Sequence, residues 1–83
     1  MSSTDYKKII RTFLIDSLKV ADLLDSDNIF GKGLVSSLFA MQLVMFVENT
    51  FNLRVENEEL DLVNFNSVNA MTEFVQVKLN GNQ

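Results

Sequence analysis

The first clear pattern along the chain is helical. Tyr6, Ile9, Ile10, Phe13, Leu14 and Leu18 recur at i, i+3 and i+4, with polar or charged residues at most positions between them. That spacing draws one apolar stripe along a helix over residues 5–19. Ser3 or Thr4 is placed to cap it, and Asp5 suits the positive end of its dipole. The period then breaks. Asp22, Asp25, Ser26, Asp27 and Asn28, followed by Gly31 and Gly33, predict a loop over residues 20–35. A connection this long signals function or tethering. Leu23, Leu24, Ile29, Phe30 and Leu34 are available to pin it, so an ordered loop packed along helices is expected.

A second helix is predicted from Ser36–Ser37 to about residues 49–51, because Ser is a favoured N-cap. It is apolar nearly all round. Projected at about 100° per residue it resolves into two apolar faces. Ala40, Leu43, Val44, Val47 and Phe51 form one, which reads as core. Leu38, Met41 and Met45 form the other, flanked by Gln42, Glu48 and Asn49. Met serves equally as core filler and as adaptable contact surface, and here the opposite face already supplies a core stripe. Residues 52–57 read as a turn and residues 58–62 as a short helix. Asn66–Ser67 caps a last helix with Val68, Met71, Phe74, Val75 and Leu79 on its inner side and Gly81 near its end. The predicted architecture is all-α: three main helices, one short helix and a long first loop, closing a four-helix bundle as a single domain over residues 1–83.

Composition narrows the chemistry. With 83 residues, the chain buries only about 60% of the surface its unfolded form exposes. At 47% hydrophobic it nevertheless has enough for one core. It has no Cys, hence no disulfide and no thiolate ligand, and no His, the commonest general base and metal ligand. Serine catalysis lacks its base. The acidic pairs Asp25/Asp27 and Glu58/Glu59 match no calcium loop, and Phe30–Gly33 lacks most of a phosphate-binding loop, so no metal or nucleotide site is predicted. The chain is read as a non-enzyme. Its net charge of −4 is concentrated in residues 20–61, which disfavours nucleic acid and suits a partner with a basic patch. Asp27, Glu56, Glu58 and Glu59 are the acids expected to steer one. No apolar run is long enough to span a membrane, and residues 1–5 lack a signal-peptide core, so the expectation is a cytoplasmic protein without a membrane role.

The informative pair is Ser36–Ser37, at the junction of the long loop and the apolar helix. A helix start presents free N–H groups, which welcome a phosphodiester. Around it, Phe30-x-x-Gly33-Leu34-x-x-Ser37-Leu38, then Leu43-Val44 and Glu48-x-x-Phe51, resembles the acyl carrier protein signature. The resemblance continues through Leu53, Val55 and Leu60 to Phe65-x-x-Val68 and Phe74-Val75, covering roughly residues 5–80. It implies the acyl carrier four-helix bundle and 4′-phosphopantetheine bound covalently to Ser37, with Ser36 as the helix cap. It implies an acyl thioester on that arm and a docking surface of Leu38, Met41, Gln42, Met45 and Glu48. The implied partners are a phosphopantetheinyl transferase, acyl-loading and acyl-modifying enzymes, and an acyltransferase or ketosynthase, met by a monomer. Two departures stand out: Ser36 replaces the Asp that commonly precedes the modified serine, and Glu48 is the one acid on the recognition helix. Residues 34–48 are most similar to discrete carriers of polyketide and hybrid peptide–polyketide pathways that build hydroxymalonyl, methoxymalonyl or aminomalonyl extender units. Peptidyl, D-alanyl and fatty-acid carriers stay open as alternatives, and a helical interaction module without a prosthetic group is the alternative from another class.

Overall fold

The computed structural model describes residues 3–33 and 35–80. Four α-helices follow in chain order: α1 (Ser3–Leu18), α2 (Ser37–Phe51), α3 (Leu62–Phe65) and α4 (Val68–Asn80), with a 3₁₀ turn at Asn57–Glu59. No strand occurs among the described residues. The all-helical architecture, the long first loop and the three main helices match the sequence reading. Leu34, Gly81 and the side chain of Ser3 lie outside the described residues. Thr4 falls within α1 and is not its cap.

The stripe on α1 does what its spacing predicts. Tyr6, Ile10 and Leu14 are buried, and Ile10 and Leu14 meet Val68, Met71 and Val75 of α4 in one core. Each such side chain contributes about 1.5–3 kcal/mol through burial. The backbones of α1 and α4 lie closest together, and α3 packs beside α4. α2 stands further off, separated by aromatic rings. Phe13 of α1 stacks on Phe46 with ring centroids 3.9 Å apart and lies 6.0 Å from Phe39. Phe51 meets Tyr6 edge to face at 5.5 Å.

Lys19 ends α1 in the left-handed region, with φ 59°, its N–H donating to Ile15 O at 2.9 Å. Asn52 ends α2 in the same way, a conformation Asn tolerates. The described residues of the loop between α1 and α2 are held against the helices. Leu23 and Ile29 are buried. Ile29 N–H donates to Asn66 O at 2.8 Å, and Asn69 N–H donates to Asp25 O at 3.0 Å. Arg11 reaches Asp25 at 2.9 Å. The loop is thereby fastened to α1 and to the start of α4.

Three expectations need correction. Leu24 does not pin the loop; its N–H donates to Asp27 Oδ2, closing a turn that leaves the side chain exposed. Leu79 lies one turn beyond Val75, the last core residue of α4, and is exposed. The short helix expected over residues 58–62 is split into the 3₁₀ turn and α3. Glu56 and Glu59 form a reciprocal capping box on the turn, and Asp61 Oδ1 accepts from Val63 N–H at 3.1 Å to start α3. An Asp that caps a new helix does not continue the old one. Ser67 caps α4 as expected, its Oγ accepting from Ala70 N–H at 3.0 Å.

Candidate functional site

The site is built on the head and outer face of α2. Ser36 is extended, with φ −89° and ψ 170°, and its Oγ accepts from Phe39 N–H at 3.2 Å. Its carbonyl accepts from Ala40 N–H at 3.0 Å. Ser36 is thus the N-cap, and Ser37 is the exposed first residue of the helix. The cap and the first intrahelical bond leave the N–H groups of Ser37 and Leu38 as the outward donors of this end. The first turn carries no acid, so nothing there opposes a negative group.

Down the same face run the predicted docking residues. Leu38 is 70% exposed, Met41 55% and Met45 56%, and Gln42 is exposed beside them. Leu43, Val47 and Phe51 point the opposite way and are buried. The uniform apolarity of α2 therefore has three causes, not two: a core face, an aromatic edge of Phe39 and Phe46 against Phe13, and an exposed stripe.

Glu48, half-buried at the foot of this face, has a structural task of its own. Its Oε2 accepts from Val55 N–H at 2.9 Å, and its carbonyl accepts from the capping residues of α2, so it fastens the C-terminal end of the helix. Three of the four acids expected to steer a partner also have partners within the fold. Asp27 holds Leu24 N–H. Glu56 lies 3.8 Å from Arg54. Glu59 pairs with Lys78 at 2.9 Å. The Glu59 carboxyl is held below the ordinary glutamate value, first by the Glu56 N–H it accepts and then by the Lys78 ammonium; partial burial opposes both. Glu58 is exposed. No group of three or more metal-ligating side chains gathers among the described residues.

Beside the stripe opens a cleft of about 180 Å³. Ala40, Met41 and Val44 of α2 form one wall, Leu60, Asp61 and Leu62 form the other, and Phe30 and Phe65 complete it. The volume is comparable to apolar cavities of about 150 Å³ that take up benzene. Ala40 and Val44, read from the sequence as core, are half-buried linings of this cleft. The cleft escaped sequence reading because its far wall comes from a segment whose contacts no period encodes. The small side chain of Ala40, set in a bulky apolar run, was the available signal.

These features define a small all-helical protein with an exposed serine at the head of an apolar helix, an exposed stripe below it and a cleft alongside. Comparisons with known protein families, with curated proteins and with solved structures find no match. No described helix is long and apolar enough to cross a membrane.

Proposed function

We propose that the protein is a discrete acyl carrier that holds 4′-phosphopantetheine on Ser37 and serves polyketide or hybrid peptide–polyketide extender-unit biosynthesis. The observation that carries the reading is the division of labour between the two serines. Ser36 is occupied as the cap, while Ser37 stands exposed beside two outward N–H groups. A phosphodiester on Ser37 Oγ would meet those donors and the positive end of the α2 dipole, with no acid in the first turn to repel it. The group supplies the thiol, and the thioester it carries, that a chain without Cys lacks. The neighbouring cleft is apolar and suits an acyl chain. Leu38, Met41 and Met45, with Gln42, form the docking stripe for the transferase and the acyl-handling enzymes. Glu48 closes the stripe at its foot, with one carboxylate oxygen accepting from Val55 N–H. The chain contributes no acid–base catalyst and is a carried substrate of its partners, not an enzyme. The extender-unit assignment rests on the likeness of residues 34–48 to such carriers.

Co-expression with a promiscuous phosphopantetheinyl transferase, followed by intact-mass measurement, tests the reading. The wild type should gain one phosphopantetheine and Ser37→Ala none. Modification of Ser37→Ala but not of Ser36→Ala would move the site. An unmodified wild type sinks the carrier reading. If that protein instead forms a stable complex through the α2 stripe, it is an interaction module.

A further inference from the structure

The far wall of the cleft is held differently from the rest of the fold. No residue from 56 to 64 is buried. Its backbone hydrogen bonds are local: Glu59 N–H to Glu56 O, Leu60 N–H to Asn57 O, Asp61 N–H to Glu59 O and Asn64 N–H to Asp61 O. Buried Val55 and Phe65 pin its two ends. Between those pins, Glu59 joins the span to another helix. Lys78 Nζ of α4 donates to Glu59 Oε1 at 2.9 Å and to Oε2 at 3.3 Å, with side-chain exposures of 19% and 28%. The next residues after Glu59 are the ones that line the cleft. Leu60 and Leu62 are largely exposed, so burial does little to hold that wall in place.

We propose that the Glu59–Lys78 ion pair is a latch that positions the Leu60–Leu62 wall and so sets the size of apolar chain the cleft admits. Closed, it holds the wall at its present distance from Ala40, Met41 and Val44. Open, it frees a span hinged at Val55 and Phe65 to swing away from α2, enlarging the cleft without disturbing the α1–α4 core. Two discrete arrangements of one fastening are enough for such a shift. Only the identity of the natural ligand, an acyl cargo, rests on the carrier reading; the latch is tested without it.

The test uses the full chain as expressed, without phosphopantetheine, and the variants Lys78→Met and Glu59→Gln. Met keeps the alkyl stem of Lys78, and Gln keeps an oxygen for Glu56 N–H. Amide exchange read by NMR should accelerate about tenfold at Glu59, Leu60 and Asn64 and by no more than about fivefold, the share that a lost ~1 kcal/mol of global stability gives, at Leu14 and Val75. Titration with 1-butanol and 1-octanol, read at the methyl signals of Val44 and Leu62, should show the octanol-to-butanol affinity ratio rising about threefold in both variants. An unchanged ratio, or exchange that accelerates equally in α1 and α4, overturns the latch. A failed transferase assay overturns the carrier reading alone and leaves this measurement standing.

Discussion

At the residue scale, neighbouring serines take different tasks because a helix start is asymmetric. The N-cap lies outside the helical backbone and its side chain turns back onto the third N–H; the next residue is already helical and its side chain leaves the axis. Ser36 and Ser37 occupy those two positions. The cap was legible in the sequence, since a serine before an apolar run is a cap signal; Ser37 was singled out only by resemblance to the acyl carrier signature. The role of Glu48 was not legible. Its partner, Val55 N–H, lies beyond the turn at Asn52, and no local spacing encodes a carboxylate reaching over a chain reversal. Replacing the cap tests the distinction. Ser36→Ala should cost about 1 kcal/mol of stability and lower the melting temperature by about 4–8 °C, while Ser37 is still modified in the transferase assay. A cost near zero by thermal denaturation would show that Ser36 does not cap α2.

At the element scale, α2 is the segment whose pattern was hardest to read. Its core face and exposed stripe separated on projection, but Phe39 and Phe46 had no assigned direction. Their partner is Phe13, which the α1 period placed simply on the inner stripe. Periodicity gives the face of a residue and not the element it meets. The same limit applies to residues 56–64, where capping groups and not periodicity decide the structure. The exposed stripe remains the place to separate docking from packing. Met45→Glu places a charge on a side chain that is 56% exposed. It should change stability by less than about 0.5 kcal/mol while slowing transfer to or from partner enzymes by about tenfold or more. A large drop in melting temperature in this variant would mean that Met45 packs inside the bundle.

At the scale of the whole molecule, the fold is a compact body with a thin fringe. Its radius of gyration, 11.9 Å, is close to the roughly 11.8 Å of a folded chain of this length. One long-range polar tie, between Glu59 and Lys78, is visible in pH dependence. Glu59 faces Lys78 from α4 and Glu56 from the turn, with Arg54 paired to Glu56 behind it and Glu58 and Asp61 nearby along the chain. Its pKa is lower folded than unfolded, so the stability it contributes is fully present above the ordinary glutamate value of 4.5 and is lost as pH falls through the lower folded value. The wild type should therefore be more stable than Glu59→Gln at pH 7, by up to about 1 kcal/mol, and the gap should close well below pH 4.5. Urea titrations from pH 7 downward measure both; a gap that does not narrow as the pH falls would assign the effect to packing and not to the charge.

The unbroken helical run of α2 from Ser37 has a metrical consequence. At about 1.5 Å per residue, Met41 lies about 6 Å along the axis from Ser37 and Met45 about 12 Å. A surface that grips those two methionines has fixed both distance and bearing to the serine without touching it. α2 is then a ruler as well as a handle. Inserting one residue between Ser37 and Met41 would leave the grip intact, yet rotate the hydroxyl by about 100° and displace it by about 1.5 Å.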